Sequence, residues 1–469
     1  MTRIPYRGLR DVAADVRSGR ASARELVDEA LARIECDNEA LVAFVHLDPE
    51  GAREAAAAVD RQVAGGQDPG PLAGIPFGVK DLQDCAGMPT RRGSLTCADA
   101  APATADAPIV ARLRSAGGIP IGKTAVPEFG FDSATKSRLH GTTRNPWDLS
   151  RSPGGSSGGA AAAVCAGLVP IATASDGGGS TRSPAAWCGL VGHKPSHGMI
   201  AEAGASDFAV PGVLTRTVAE TAMALDLVAG PDPFDRTSLP SRSWGLADAV
   251  ETLDVAGLRV AWSPDLGYAP VDPEVAALAR GAAEALFEAA GLEEVEVPFR
   301  IPNSVMTLIR LAGFALKGEL ELDRIYPDRV AELAPFTREG LEYAAAGPRD
   351  LAAARRDRRE IERVAAELFT RVDVLMTPTT ACSPIAAEAD PPAEIKGMDA
   401  GETGAEPLTI LASMTWQPAL SVPAGLTSKG LPVGLQIVTR RFRDDVALRL
   451  GRILEGARPW HLEPVPVAG

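Results

Sequence analysis

The sequence predicts an α/β fold in which helices cover both faces of a central sheet. From Pro71 onward, short apolar runs alternate with helical patterns, and Gly and Pro stand between them. The runs are almost continuously apolar, as in Ile75–Val79 and Ile119–Ile121, which is typical of strands buried on both faces. The chain has 469 residues, 45% of them hydrophobic, so it can bury a large core. Usual domain sizes favour two or three units, although a single α/β sheet can be larger.

The individual elements can be predicted in chain order. The first 65 residues are expected to be helical, because apolar residues recur there at three- and four-residue spacing. A later helix carries a full set of end signals, with Asp272 as N-cap, Pro273 at the first position and Gly291 as the stop. The stretch 230–250 is rich in Pro, Asp and Ser and is expected to run over the surface. The other predicted elements are helices at 8–18, 22–35, 50–64, 106–116, 351–370 and Asp444–Glu455, and strands at Leu168–Ala172, Leu258–Trp262 and Asp373–Met376.

Charge and composition argue against several classes of protein. The net charge is −14 and the isoelectric point about 5.0, without the basic stripe of a nucleic-acid binder. No apolar run is long enough to span a membrane, and the N-terminus lacks the apolar core of a signal peptide. Six scattered cysteines form neither a disulfide framework nor metal-ligand spacing. We therefore expect a soluble, cytoplasmic protein that uses no metal and no cofactor.

Three short motifs match known patterns in the wrong context. Residues 117–124, GGIPIGKT, satisfy the phosphate-binding loop pattern, but a helix precedes the glycines and a strand follows them, which is the reverse of the required order. Gly154–Gly158, GGSSG, fits the nucleophile elbow of α/β-hydrolases, but no strand precedes it. That esterase interpretation stays open as an alternative. Ser133-x-x-Lys136 lacks the further elements of the penicillin-binding set.

Three segments together indicate a serine hydrolase. Lys80 ends an apolar strand, where burial would lower its pKa and make it a usable base. Glycine pairs flank Ser156 and Ser157 and permit close backbone approaches, and the alanine-rich helix after Gly159 directs its positive end at these serines. Residues 177–180, GGGS, offer a row of unencumbered amides leading directly to a hydroxyl, which suits an oxyanion hole.

In these segments the sequence resembles the amidase signature family, from about Gly74 to Trp460. The resemblance also includes GKTAVPEFG at 122–130, TRNPWD at 143–148 and QPALSVPAG at 417–425. Ser180 lies 24 residues after Ser156, which is the spacing of the family's serines. The resemblance implies a single large α/β domain with a central, mostly parallel mixed sheet enclosed by helices, often as a homodimer. Residues 1–65 would form a helical segment packed on the signature domain of 66–469, with 240–400 as a more variable substrate-side region.

The resemblance also implies the roles of individual residues. The catalytic lysine falls on Lys80, the serine with a cis peptide bond on Ser156 and the acylated serine on Ser180. The oxyanion would be bound by the amides of Gly177, Gly178, Gly179 and Ser180. The residues that match positions bracing this loop are Ser157, Asp176 and Arg182.

Four departures from the family's common pattern bear on substrate choice. His193 replaces an aliphatic residue, Trp187 a Phe, Trp416 a glycine, and Arg91 with Arg92 stands where small or hydroxylated residues often occur. Trp187, Trp416 and Arg91 are the residues expected in the substrate pocket. We expect compact apolar or aryl acyl groups to be preferred over acidic ones, because the net charge of −14 repels anions at long range and Trp187 or Trp416 would supply an aromatic wall. A preference for dicarboxylic monoamides would instead indicate Arg91 or Arg92 as a carboxylate clamp.

The reaction implied is acyl transfer from a carboxylic amide to water, with esters and carbamates as further substrates. Neutral Lys80 would accept a proton through Ser156 while Ser180 attacks the carbonyl. The substrate would be a small molecule, with no nucleic acid and no membrane as partner. A partner-dependent protein similar to the A component of the tRNA-dependent amidotransferase is the alternative within the same family.

Overall fold

A computed structural model describes residues 7–202, 207–319, 328–345 and 348–461, together with 463, 465 and 467. Its centre is one mixed sheet of eleven strands in the order β1-β3-β2-β6-β8-β7-β14-β15-β11-β9-β10. These strands are β1 (Phe44–Leu47), β2 (Pro76–Lys80), β3 (Ile119–Thr124), β6 (Ile171–Asp176), β7 (Val191–Lys194), β8 (Val210–Thr215), β9 (Arg259–Trp262), β10 (Glu293–Glu294), β11 (Val374–Pro378), β14 (Ala419–Leu426) and β15 (Pro432–Thr439). Two small ribbons stand apart, formed by β4 (Lys136–Ser137) with β5 (Gly141–Thr142) and by β12 (Glu394–Ile395) with β13 (Met398–Asp399).

Helices account for most of the remaining regular structure. They are α1 (Leu9–Arg17), α2 (Ala23–Leu41), α3 (Pro49–Ala64), α4 (Pro108–Ser115), α5 (Gly158–Cys165), α6 (Arg182–Cys188), α7 (Val218–Val228), α8 (Leu246–Thr252), α9 (Pro273–Ala290), α10 (Val305–Glu319), α11 (Pro335–Ala345), α12 (Pro348–Arg371), α13 (Ile410–Met414) and α14 (Asp444–Ala457). The α/β class and the central mixed sheet are confirmed, and every residue of β2, β3, β8 and β15 is buried.

The strand directions explain where the carboxyl ends of the strands meet. β2 is parallel to both β3 and β6, and β9 is parallel to both β10 and β11. The other neighbouring pairs are antiparallel. Because β2 and β6 run side by side in one direction, the residues that follow Lys80 and Asp176 emerge at the same edge of the sheet.

The N-terminal segment contains the three predicted helices but is not entirely helical. Helix α2 ends at Val42, which adopts a left-handed conformation with φ of 51°. The Asn38 side chain then accepts from the amides of Ala43 and Phe44 and starts a new strand. That strand, β1, pairs antiparallel with β3 and forms one edge of the central sheet. A purely helical segment before residue 65 was therefore the wrong expectation, since this short run had no alternation to mark it.

Two sequence-based predictions of element boundaries are confirmed in detail. Asp272 accepts a hydrogen bond from the amide of Glu274 at 2.9 Å, and helix α9 stops at Gly291, whose φ is 63°. The GGIPIGKT stretch leads from helix α4 into strand β3, so it is not a phosphate loop. The described chain contains no helix with both the length and the apolar character needed to cross a membrane.

Candidate active site

Lys80 is the last residue of β2 and is completely buried. Its backbone amide donates to Thr173 Oγ1 on the neighbouring strand at 2.9 Å, which fixes the end of β2 against β6. The side chain continues past the edge of the sheet. The lysine is thus held by two strands of the core and not by a mobile loop.

The ammonium nitrogen of Lys80 is surrounded by hydroxyl and carbonyl oxygens. Nζ lies 2.8 Å from Ser156 Oγ, 2.7 Å from Ser157 Oγ, and 3.0 and 3.2 Å from Ser175 Oγ and its carbonyl oxygen. Burial lowers the pKa of Lys80 to about 7, against a smaller opposing effect of the Asp176 and Glu202 carboxylates. At neutral pH a large share of Lys80 is therefore unprotonated and able to accept a proton.

Ser156 lies in the glycine-rich turn before helix α5. The Gly155–Ser156 peptide bond is cis, as the resemblance implied. A side chain at Gly155 would come within 2.6 Å of the Asp132 carbonyl oxygen, so this turn requires glycine. The amide of Ser157 donates to the carbonyl oxygen of Ser180 at 3.2 Å, which joins the two serine-bearing turns.

The turn that carries Ser180 is braced by a buried ion pair. Arg182 donates from Nε and Nη2 to the two carboxylate oxygens of Asp176 at 2.9 and 2.8 Å. Burial alone would raise the pKa of Asp176, but the charge and hydrogen bonds of Arg182 outweigh it and set the pKa to about 2. The remaining guanidinium nitrogen donates to the Thr409 carbonyl and to Gln436 Oε1. The charged groups of Arg182 and Asp176 therefore both serve to hold the turn that carries Ser180.

The four amides that were expected to form the oxyanion hole differ in whether they already donate a hydrogen bond within the protein. The Gly179 amide donates to Asp176 Oδ1 at 2.8 Å, so it is committed to the brace, which corrects the expected set. Within the described part of the chain, the amides of Gly177, Gly178 and Ser180 donate to no protein acceptor. Three unpaired amides beside a serine hydroxyl are suited to binding a developing negative charge.

Ser156, Ser175 and Ser180 open onto one cavity of about 630 Å³. Apolar residues of helix α10 form one wall, and polar and acidic residues form much of the rest. Leu308 on α10 lies over the oxyanion turn, since a Cβ atom on Gly178 would come within 2.5 Å of Leu308 Cδ2. The other apolar wall residues are Leu82, Phe129, Phe131, Phe208, Ala209, Val305, Ile309, Ala312, Ala315, Phe336, Pro391, Ala405 and Ile410.

The residues predicted to line the substrate pocket lie elsewhere. Trp187 is fully buried, and its indole nitrogen donates to Thr380 Oγ1 and the Cys382 carbonyl. Trp416 stacks on His197 at 4.2 Å between ring centroids and lines a separate groove. Arg91 donates from Nε to the Ala98 carbonyl, and its neighbour Arg92 lines the cavity instead. The expected aromatic wall of Trp187 and Trp416 is therefore corrected to phenylalanines and aliphatic residues.

The His193 side chain is fully buried and pairs with a carboxylate. Its Nε2 lies 2.9 Å from Asp444 Oδ1, and Ser196 Oγ donates to the other oxygen of that carboxylate at 2.6 Å. None of the five histidine side chains, all of which belong to the described residues, hydrogen-bonds to Ser156 or Ser180. The α/β-hydrolase alternative, which needs such a histidine, has no support here.

Sequence reasoning missed several residues that position the site. Ser175 supplies two of the acceptors of Lys80, and Thr173 fixes the backbone of Lys80. Ser175 and Thr173 both lie in β6, the strand beside β2, so inspection of the carboxyl end of that strand could have identified them. Gln436 and Thr409 are distant in sequence, so nothing in the glycine-rich segments indicated them. Within the ranges that the structure describes, no group of three or more His, Cys, Asp or Glu side chains is placed to hold a metal ion.

Comparison with known proteins gives consistent matches over almost the whole chain. A sequence model of the family described as Amidase matches residues 25–448. An acylamidase from Rhodococcus erythropolis is 39% identical over 460 residues, covering 96% of this chain and 95% of the relative. The A component of a glutamyl-tRNA(Gln) amidotransferase from Chloroflexus aggregans is 36% identical, covering 98% of each. The crystal structure of a bacterial aryl acylamidase of the amidase signature enzymes superposes with a TM-score of 0.91 at 28% identity, covering 97% of each chain.

Proposed function

Because this chain belongs to the amidase signature family of amide hydrolases, we propose that it hydrolyses carboxylic amides through an acyl-enzyme on Ser180. The observation that carries the proposal is the contact of a buried lysine with a serine in the same cavity as Ser180. Lys80 Nζ lies 2.8 Å from Ser156 Oγ, and the pKa of Lys80 is lowered to about 7 by burial.

The first half of the reaction makes an ester and releases an amine. Ser180 Oγ attacks the substrate carbonyl while its proton passes to Ser156, and the Ser156 proton passes to Lys80. The amides of Gly177, Gly178 and Ser180 bind the oxyanion of the tetrahedral intermediate. When the carbon–nitrogen bond breaks, the proton returns from Lys80 through Ser156 to the leaving nitrogen.

The second half releases the acid. A water molecule attacks the Ser180 ester and gives its proton to Lys80 through the same relay. The carbon–oxygen bond to Ser180 breaks, Ser180 Oγ recovers a proton from Ser156, and the carboxylic acid leaves. The lysine therefore ends each half-reaction in the neutral form in which it began, so one base serves both steps.

Amides with an aryl group are the substrate class that the cavity favours. Helix α10 and four phenylalanines present an apolar surface to a ligand beside the serines. The acylamidase and the aryl acylamidase among the similar proteins have names that agree with this class. Esters and aryl carbamates have the same attacked carbonyl and are proposed as further substrates.

The relationship to the A components of amidotransferases supports a second candidate function. Under it the chain would act only with partner proteins, as one component of a larger enzyme. Assay of the purified chain alone on an anilide separates the two candidates, since a partner-dependent component would be inactive. Homodimer formation and a cytoplasmic location remain predictions.

Substitution and labelling of Ser180 test the mechanism directly. Ser180→Ala is expected to abolish turnover of a 4-nitroanilide while leaving the thermal unfolding temperature close to that of the wild type. An irreversible serine-directed reagent should add one label per chain, at Ser180, as located by peptide mass spectrometry. A label on Ser156 or Ser157 would contradict the assignment of the nucleophile.

A further inference from the structure

Arg92 is the one cationic residue among the described residues that line the catalytic cavity. Four acidic residues line the same space, namely Asp132, Glu202, Glu402 and Glu406. The remaining lining residues are uncharged, and most of them are apolar or small. A single positive charge in such a cavity has few roles other than contact with a ligand or with one of these acids.

The backbone of Arg92 adopts a conformation that arginine rarely takes. Its φ is 55°, in the left-handed region, which costs a residue with a side chain roughly 1 kcal/mol or more. Phe129 has a φ of 52° and donates from its amide to the Arg92 carbonyl at 2.8 Å. Two non-glycine residues in this conformation, bonded to each other in the wall of one cavity, indicate a geometry kept for function.

Both sides of the catalytic centre hold Arg92 in place. Its amide donates to the carbonyl of Asp81, the residue directly after Lys80. Through Phe129 it is tied to Gly130, which faces Ser156, because a Cβ atom on Gly130 would lie 3.2 Å from Ser156 Oγ. The position of Arg92 is thus set relative to the reacting groups by hydrogen bonds of the main chain.

The guanidinium group of Arg92 is free to bind a ligand. Within the part of the chain that the structure describes, it makes no hydrogen bond and no ion pair, even though four acids share the cavity. Its neighbour Arg91 differs, since Arg91 bonds to the Ala98 carbonyl outside the cavity wall. A guanidinium has five donors and no acceptor, in a planar arrangement that matches a carboxylate.

We propose that Arg92 binds a carboxylate group of the substrate, so that amides carrying a free carboxylate are preferred over neutral analogues of equal size. This specificity rests on the amidase activity proposed above. The chain's charge of −14 does not oppose it strongly, because exposed charges are screened over about 8 Å at physiological salt. Burial also raises the pKa values of Asp132 and Glu406, so these two carboxyl groups retain a proton more readily than exposed ones.

Two matched pairs of anilides test the preference. One pair is succinic acid mono-4-nitroanilide and the 4-nitroanilide of 4-oxopentanoic acid, in which a methyl ketone replaces the carboxylate on the acyl side. The other is N-acetyl-4-aminobenzoate and 4-acetamidoacetophenone, in which a methyl ketone replaces the carboxylate on the amine side. We expect the wild type to favour the acid in at least one pair roughly 10- to 100-fold in kcat/KM, the range for a hydrogen bond to a charged group.

Substitutions then assign the preference to Arg92. Arg92→Asn tolerates the left-handed backbone and should remove the preference through KM, leaving the neutral anilide within about threefold of the wild type. Arg92→Lys keeps the charge without the planar fork and should retain part of the preference. Arg91→Asn, the matched control, should change neither substrate. Absence of a preference for the acid in both pairs, or equal losses on the acid and the ketone in Arg92→Asn, would overturn the proposal.

A binding experiment on a variant that cannot hydrolyse the substrate tests the role of Arg92 independently of the proposed amidase activity. If the wild type hydrolysed none of the four anilides, the amidase proposal would fail, and binding would still test Arg92. In Ser180→Ala, at least one of the two acids should raise the unfolding temperature, with a shift that grows as the logarithm of its concentration above the dissociation constant. The shift should be lost in Ser180→Ala/Arg92→Asn and kept in Ser180→Ala/Arg91→Asn. Equal shifts in all three proteins would contradict the role of Arg92.

Discussion

Lys80 owes its low pKa to the kind of oxygen that surrounds it. Its contacts are three serine hydroxyls and one carbonyl, and within the described residues no carboxylate lies in contact with Nζ. Hydroxyls hydrogen-bond to an amine in either protonation state, so they do not offset the cost of burying an ammonium ion as a carboxylate would. Asp176, the carboxylate with the largest effect on the pKa of Lys80, is already bound to Arg182. The site thus separates its buried base from its buried ion pair.

The pH dependence of activity follows from this arrangement. Since only neutral Lys80 accepts a proton, kcat/KM for an anilide should rise with pH through a limb near the pKa of about 7 and level off above neutrality. Lys80→Ala should lose orders of magnitude in kcat/KM and flatten the limb. Lys80→Arg should fail nearly as badly, because guanidinium does not deprotonate in proteins. Near-normal turnover in Lys80→Arg would show that only a positive charge is needed.

The sequence predicted the positions of some site residues correctly and those of others incorrectly. Lys80, Ser156 and Ser180 could be selected together because glycine-rich turns and a strand end are local features. Trp187 could not be placed, since the direction in which a buried indole points depends on distant partners such as Thr380. The choice between Arg91 and Arg92 likewise depended on a backbone φ of 55° that the residue type disfavours.

At the scale of elements, hydrogen bonds from the start of the short helix α13 and from strand β15 hold the turn of residues 177–180 in place. Thr409, just before α13, donates from Oγ1 to the Gly178 carbonyl, and its own carbonyl accepts from Arg182. Gln436 on β15 accepts from the same guanidinium and donates to the Leu408 carbonyl at 2.9 Å. The contacts of Thr409 and Gln436 with Arg182 and Gly178 join parts of the chain more than 200 residues apart, which no local pattern could reveal.

Helix α10 should control the size of the acyl group. Leu308→Ala removes the side chain that lies against Gly178 and widens the cavity beside the oxyanion amides. We expect the ratio of kcat/KM for a bulky aryl anilide to that for an acetanilide to rise about tenfold, roughly the effect of 1.4 kcal/mol. Leu311→Ala is the control on the same helix, since Leu311 is buried in the core outside the cavity wall. The same change of ratio in both variants would exclude a specific role for Leu308.

Elements with complete end signals were predictable, and short strands were not. Helix α9 was identified from its N-cap, its proline and its glycine, and the structure bears out each of them. Strand β1 has only four residues, and its place is set by pairing with β3, a long-range event. The order of the eleven strands is similarly a property of the whole sheet and could be inferred only from the family resemblance.

At the scale of the whole molecule, the sheet places several ionisable groups in its interior. Lys194, in β7, is completely buried, and Nζ donates to the Pro195 carbonyl at 3.0 Å. Burial lowers the pKa of Lys194 to about 7; Arg182 lowers it further, while Asp176 and Asp444 oppose the shift. This second buried lysine has no part in the proposed proton relay, so its effect on the fold can be measured apart from catalysis.

Lys194 should make the stability of the protein depend on pH above neutrality. An unfolded lysine titrates near 10.4, whereas the folded Lys194 is neutral above its pKa of about 7. Between these values the unfolded state binds one more proton, so the free energy of unfolding should rise with pH by about 1.4 kcal/mol per unit from this residue. Below pH 7 both states are protonated and above about 10.4 both are neutral, so the contribution to the slope vanishes outside this window.

Comparison with Lys194→Met isolates this contribution, because methionine has similar volume and no charge to titrate. The difference in free energy of unfolding, wild type minus variant, should increase steadily from pH 7 to 10 in urea-unfolding experiments at each pH. Other titrating groups are common to both proteins and cancel in the difference. Lys429→Met, at an exposed position, should give a difference that is constant with pH. If the Lys194→Met difference were also constant, Lys194 would have to be protonated in the folded protein, with its charge compensated by Asp176 and Asp444.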